Sequence, residues 1–458
     1  MKKILLIILI FVIVVPSGWF LLNEYESSEP RIELELPSDY LRKSYEMGLS
    51  VYDQGTGLRE VKVSIQQEGK EKTLFSRKYE NSGLEGLFLG SGVTEDSFEI
   101  PVEFWKYGMS DGKATIRVYV SDYSWHGWNK GNRVYEEKEV VIDTKPPKIS
   151  VLTKKHNMAR GGTGLVIYRL YEKGLETGVR VGDNFFPAYS GMFEDEDVWA
   201  CFFALDHTQG PGTEIFVSAE DKAGNVSKRG FYYYIRDDDY PTDVLKISDS
   251  FLERKMPEID TDMDQDFEKF ENPLLEKFLY VNSTLRKKNF QEILKPVSGT
   301  ENSILWKGKF LRLPGSARRA GYADRRVYKY SGKNVDEAVH LGVDLASTRK
   351  ADVPAANAGK VLLASNVGIY GNSVLIDHGF GLCTLYSHLT DFNVSEGDRV
   401  KRGEIVGTTG STGFAGGDHL HFAVAVNNVF VNPVEWWDAS WIENNITSKI
   451  TRIGRQLR

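Results

Sequence analysis

Five of the eight histidines in this 458-residue chain fall between positions 340 and 421. Four of them sit in three short pieces: His340-Leu341-Gly342-Val343-Asp344, Ser387-His388-Leu389 and His419-Leu420-His421. Imidazole and carboxylate are metal-ligand and proton-transfer groups. A catalytic zinc ion takes three such protein ligands and leaves a fourth position for water. Two histidines and one carboxylate from these pieces would fill that set and leave two histidines over. A hydrolase needs those two next, one neutral imidazole to take a proton from the attacking water and another to hydrogen-bond the developing oxyanion. Without a cation, converging imidazoles around a buried carboxylate would be a costly way to fill a core.

The elements that must position these groups read as strands. Val374-Leu375-Ile376-Asp377 and Cys383-Thr384-Leu385-Tyr386 are β-branched, aromatic or aliphatic runs bounded by Gly, Asn and Asp. Strand side chains alternate faces, which puts His340 with Asp344 on one side and His419 with His421 on one side. The same parity puts Thr384, Tyr386 and His388 on one face, with Tyr386 as a candidate substrate-orienting group and core packing as the equal alternative. Gly416-Gly417 before Asp418 would let a backbone approach an extended substrate closely. His378 stands beside a turn and has no part in the set.

The ordered pieces carry a resemblance. His340-x-x-x-Asp344, the Ser387-His388-Leu389 strand end and the Gly410-Ser411-Thr412-Gly413…His419-Leu420-His421-Phe422 run resemble the lysostaphin-type (LytM-like) zinc endopeptidases of bacterial cell walls. The likeness spans roughly residues 301 to 437. It includes Gly321-Tyr322-Ala323-Asp324-Arg325, Pro354-Ala355, Gly359, Gly397-Asp398-x-Val400-x-x-Gly403 and Ile405-Val406-Gly407. The resemblance implies one Zn2+ held by His340, Asp344 and His421, with His388 and His419 as the catalytic imidazoles, and peptidoglycan peptide cross-links as substrate. Some members of that family have lost these positions and act as activators of other wall hydrolases. All five positions are intact here, so activity is expected over the alternative of a non-catalytic, zinc-stabilised scaffold for wall hydrolases.

Outside this region the chain reads as mainly β. Lys2-Lys3 followed by the uncharged run Ile4 to Leu22 is long enough to cross a hydrocarbon core of about 30 Å, with the lysines left in the cytoplasm. Residues 1–28 are thus expected to be a retained inner-membrane anchor, a cleaved signal segment being the rival, with the bulk of the chain in the periplasm. Period-two strands such as Ile32–Leu36, Val61–Ile65 and Ile116–Val120 predict an immunoglobulin-like β-sandwich over 29–146, ended by Pro146-Pro147. A second is expected over 147–237, where Ile215–Asp221 echoes Ile116–Asp122. Trp125, His126 and Trp128 form an aromatic cluster that either packs or stacks on sugar.

Apolar residues at three- and four-residue steps between 243 and 297 predict a helical segment, within a linker spanning 238–300. Its acidic stretch around Asp260–Asp266 lacks the glycine a calcium loop needs, having Gln265 there, and is expected to be a solvated loop. From its position the segment would lie beside the catalytic groove. The peptidase domain then covers 301–437 as an antiparallel β fold, and 438–458 is left as a basic tail. The formal net charge of −7 gives no electrostatic case for nucleic acid. Cys201 and Cys383, far apart, exclude a disulfide framework. The partners expected are wall peptide, the inner membrane and other envelope proteins.

Overall fold

The computed structural model describes residues 8, 10–18, 28–80, 92–124, 126, 130–261 and 265–458. Trp125, Trp128, Asp262, Asp264 and most of the flanks of the N-terminal apolar run lie outside them. No helix among the described residues is long and apolar enough to cross a membrane. The chain forms two compact units, Met1–Pro147 with Glu220–Val226, and Lys148–Ala219 with Ser227–Arg458.

The first unit is built from two sheets. Arg31–Glu35, Ser44–Tyr52 and Glu95–Glu103 make one, and Tyr40–Leu41, Arg133–Ile142, Gly112–Asp122, Leu58–Gln67 and Lys70–Lys78 make the other. The alternation legible in the sequence is the alternation of burial. Val61, Val63 and Ile65 on one strand and Ile116, Val118 and Val120 on its neighbour are fully buried, because the cross-strand partners Val61/Val120, Val63/Val118 and Ile65/Ile116 face one core.

The second unit has one continuous hydrophobic core running from Ile149 to Ile453. It joins three regions. Strands between Ile149 and Arg236 form small sheets with fully buried faces at Leu165–Tyr168 and Ala200–Leu205. Phe202 meets Trp436, and Tyr189 stacks on Phe380, so these sheets and the peptidase region pack as one body. Residues 438–458, expected as a tail, are a correction. They form helices over Ala439–Ile442 and Ser448–Gln456 joined by a π turn, with Ile442, Ile446 and Ile453 buried. The apolar spacing of four and seven residues is a helical stripe, and Lys449 donates from within the core to the Leu165 carbonyl at 3.2 Å.

The segment between the two regions begins not as helix but as β1 (Thr242–Ile247), a further correction to the start at 243. It pairs parallel with a strand of the peptidase region, Val244 opposite Val327 and Ile247 opposite Tyr330. Helix α1 (Asp249–Lys255) follows, capped by Ser248. Helix α2 (Pro273–Tyr280) has Asn272 as its cap and Pro273 at its first position, where a missing N–H costs nothing. It continues through a π turn, Val281–Leu285, into α3 (Arg286–Leu294). Leu252, Met256, Phe278, Val281, Leu285 and Ile293 are the buried stripe.

The strands that carry the site follow: β2 (Ala317–Ala320), β3 (Asp324–Tyr330), β4 (Lys333–His340), β5 (Val343–Ala346), β6 (Gly359–Val367), β7 (Gly371–Asp377), β8 (Leu382–Leu389) and β9 (Leu420–Val426). Among the described residues the main sheet runs β2-β5-β9-β8-β7-β6 and closes on Arg399–Val400, with Val429–Val431 beside β9. The central β8 and β9 are buried along their whole lengths, as strands covered on both faces must be. β3 and β4 form a separate sheet with β1.

Candidate active site

Pairing register assembles the site. Asp344 on β5 lies directly opposite His421 on β9, and Ser387 on β8 is opposite His421 on the other side. His340 ends β4, and Gly342 lets the chain turn into β5. A Cβ at Gly342 would stand 2.6 Å from His421 Cε1 and 2.7 Å from its Nε2, so only glycine leaves the imidazole its place. His340 and Asp344 therefore meet across a strand break, not along the single strand the parity argument assumed. His419 precedes β9, bridged to Gly410, and shares the face of His421.

At the end of β8 the ladder slips. Asn372 pairs with Leu389 but Val374 with Tyr386, so Ser387 and His388 together oppose Ser373. This is a β-bulge, and His388 sits at φ 63°, a left-handed conformation uncommon for a side chain with a Cβ. The bulge turns His388 away from the face of Tyr386. Tyr386 is the correction that follows: it is fully buried, and its hydroxyl accepts from the Ala356 amide at 2.7 Å and bonds Thr384 at 2.9 Å. It is a core tyrosine, not a groove residue. Gly416 and Gly417 are exposed with open space around them. Gly416 lines the pocket, and the Gly417 carbonyl accepts from His419 Nδ1 at 2.8 Å.

The three expected ligand residues converge. His340 Nε2, Asp344 Oδ1 and His421 Nδ1 stand 2.9 Å from one another, and all three residues are buried. His340 Nδ1 donates to the Gly321 carbonyl at 2.7 Å, which fixes the tautomer and leaves Nε2 as a bare lone pair. That lone pair faces a carboxylate oxygen, an acceptor only. Acceptors held this close require a cation or a proton among them, and the His/His/Asp donor set at this spacing fits a tetrahedral zinc ion. Asp344 Oδ2 accepts from Arg326 Nη2 at 3.0 Å, an outer partner of the kind that orients a ligating carboxylate.

Electrostatics separates the imidazoles. Burial alone would raise the Asp344 carboxyl, but the neighbouring imidazoles, His340 first and then His419 and His421, hold it well below the usual carboxylate range. Burial pushes His421 down to about 4. Burial, with His419 and His421 as neighbours, pushes His388 well below the ordinary histidine value. His419 goes the other way: burial lowers it, but the hydrogen bond and charge of Asp344 outweigh that and raise it. His388 Nδ1 donates to the Thr412 carbonyl at 2.9 Å, so each of the two spare rings is held through Nδ1 by a loop carbonyl, and His419 Nε2 stands 3.6 Å from Asp344 Oδ1. Their centroids are 4.9 Å apart. His378 is fully buried and bonds Ala358 and Thr384, outside the set as expected.

The pocket over these groups, about 110 Å3, is also lined by Arg286, Ile369, Tyr370 and Phe414. None of these, nor Arg326, was singled out from the sequence. The helical segment lies beside this pocket. Phe251 and Phe278 pack on Phe414, the buried Lys255 ammonium donates to the Ser411 carbonyl at 2.9 Å, and Asn289 Oδ1 accepts from the Ile369 amide at 3.0 Å.

A buried His/His/Asp triangle beside two spare imidazoles is an arrangement suited to metal-assisted hydrolysis. Residues 338–433 match peptidase family M23, and this segment is an M23 peptidase domain. It is 42% identical over 96 residues to DD-carboxypeptidase/endopeptidase Mpg of Neisseria meningitidis serogroup B, covering 21% of this chain and 22% of that protein. It is 35% identical over 135 residues to peptidoglycan DD-endopeptidase ShyC of Vibrio cholerae, 29% of this chain and 30% of that one. The match thus spans less than a third of these relatives' lengths. The catalytic domain of the antimicrobial peptidase lysostaphin from Staphylococcus simulans matches at 30% identity and a TM-score of 0.24, covering 27% of this chain and 94% of that one.

Proposed function

We propose that this protein is a zinc-dependent endopeptidase that hydrolyses the peptide cross-links of bacterial peptidoglycan. The single observation that carries the reading is the convergence of His340, Asp344 and His421 ligand atoms at 2.9 Å beside the His388 and His419 rings, inside an M23 domain. The names of Mpg and ShyC support a bond between two D-residues as the one cut. A divalent ion held by His340, Asp344 and His421 supplies Lewis-acid polarisation of the scissile carbonyl and a nucleophilic water at neutral pH.

The chain's own residues do the rest. His340 is kept a ligand by its Nδ1–H bond to Gly321, and Arg326 holds the second Asp344 oxygen so that the first stays inward. His388 and His419, each anchored through Nδ1, present Nε2 to the pocket. One takes the proton from water and passes it to the leaving amine, while the other donates to the oxyanion. Phe414, Tyr370 and Ile369 supply the apolar part of the pocket wall. The envelope location belongs to the same proposal: Lys2-Lys3 ahead of the apolar Ile4–Leu22 run supports an inner-membrane anchor with the catalytic region outside the cytoplasm.

The test is digestion of purified sacculi by the full chain in detergent, beside an unfolded secreted protein as competitor substrate. Release of wall peptides with the protein left intact supports the reading. Cleavage of the protein alone, or of neither, refutes it.

A further inference from the structure

Arg286 opens α3 immediately after the π turn Val281–Leu285, a helical irregularity frequent at functional sites. It comes from the helical segment, outside residues 338–433, yet its side chain lines the same small pocket as His340, Asp344, His388, His419 and His421. Two neighbours fix it. Nε donates to the Asn282 carbonyl at 3.1 Å and Nη2 to Asn282 Oδ1 at 2.7 Å. Asn282 is itself fully enclosed, its amide nitrogen donating to Asp336 Oδ2 at 2.8 Å. Asp336 on β4, Asn282 and Arg286 therefore form a brace that holds one guanidinium at the pocket wall.

The two pocket arginines differ in what they face. Arg326 is neutralised by Asp344 at 3.0 Å. Arg286 makes no ion pair with any carboxylate among the described residues, although it is half-buried. A guanidinium has five N–H donors, and Asn282 takes two, so three remain for a ligand. A braced, half-buried guanidinium without a counter-ion is a built receptor for an oxyanion, and carboxylate is the anion whose geometry it matches. The pocket of about 110 Å3 is small enough that an amide brought to the three ligand residues has its flanking atoms against Arg286.

We propose that Arg286 is a specificity-determining residue that binds a free carboxylate on the substrate residue supplying the amine of the scissile bond. The proposal rests on the peptidase reading and deepens it. In a bond between two D-centres of a wall peptide, the acyl residue has no free carboxylate, whereas the amine-side residue carries one next to the amide. Arg286 would select such bonds over ordinary internal peptide bonds, where that carboxylate is an amide.

The test compares acetyl-Lys(acetyl)-D-Ala-D-Ala with its C-terminal carboxamide. Binding is measured by calorimetry on the zinc-loaded His388→Ala chain, with Arg286 retained or changed to Gln or Lys, and kcat/KM is measured on the same Arg286 series with His388 intact. With Arg286 the carboxylate should bind about tenfold tighter than the carboxamide, the advantage of hydrogen bonds to a charged group. Arg286→Gln should bring the ratio near one, and Arg286→Lys should keep part of it, with zinc content and melting temperature unchanged in both. Equal binding of the two peptides with Arg286 present, a preference that survives Arg286→Gln, or no binding of either overturns the proposal. Because calorimetry needs no turnover, an inactive chain that still prefers the carboxylate would sink the peptidase reading and leave the Arg286 assignment standing.

Discussion

Asp344 and His421 face each other across the β5–β9 ladder, and their ligand atoms are 2.9 Å apart. The pair is set by backbone register, so the metal-ligand geometry is built into the sheet and does not wait for an ion to collect mobile side chains. His340 joins them from a different sheet, across the break at Gly342.

Removing a ligand and removing a spare imidazole should therefore have different effects. Asp344→Ala should abolish stoichiometric metal and activity together. His388→Ala should keep the metal and lower kcat by about 10²–10⁴, the range of general acid–base contributions. Metal analysis on both purified variants, beside their rates, checks this; metal retained by Asp344→Ala would break the ligand assignment.

Gly342 should be as sensitive as a ligand, though it touches no metal. A Cβ there meets His421 Cε1 at 2.6 Å and the Phe422 carbonyl at 2.9 Å, so Gly342→Ala must displace either the imidazole or the strand. We expect a 10–100-fold loss of zinc affinity, the size usual when a ligand's supporting surroundings change, read by competition with a chelator of known affinity. Unaltered affinity would show that His421 has room the geometry denies it.

Tying the glycine-rich loop to α1 is the part of Lys255. Its ammonium is buried and donates to Ser411 and Glu258. Lys255→Met should leave the Ser411 carbonyl and the Glu258 carboxylate without this donor and cost about 1–3 kcal/mol, measured by urea unfolding, with faster proteolysis within 410–418. A variant as stable and as protease-resistant as the parent would contradict it.

His378 gives a pH signature separable from the metal site. Burial lowers it from 6.5 to about 4 in the folded chain. Between those values the unfolded chain holds a proton the folded chain does not, so this group makes stability rise with pH there and adds nothing above about 6.5. His378→Asn should flatten the stability–pH slope in that window by up to about 1.4 kcal/mol per unit, seen by denaturant titration of the metal-free protein at pH 4.5 and 6.5. An identical slope in both proteins would place the proton elsewhere.

Much of this was legible in the sequence, for physical reasons that differ by residue. Period-two alternation at Val61–Ile65 and Ile116–Val120 is a property of single strands, and it survives in the burial of those side chains. The spacing of His340 with Asp344, and of His419 with His421, located the cluster even though the first pair proved to straddle two strands. What parity could not see was the bulge at Ser387–His388, which depends on how β8 pairs with β7; of the two readings open for Tyr386, core packing holds for that reason. Arg286 left no mark of its own in the sequence, since its meaning comes from the pocket wall that α3 happens to form. The isoleucines at 442, 446 and 453 carried a helical stripe, overlooked because the basic residues around them read as a solvated end.

The most direct test of the central claim is mass spectrometry of muropeptides after sacculi are digested by the full chain, with zinc, with chelator, and with zinc restored. The expected result is cross-linked dimers converted to monomers with zinc, none with chelator, and recovery on restoration. Dimers cleaved equally in chelator, or untouched in zinc by a chain that carries one equivalent of the metal, would contradict it.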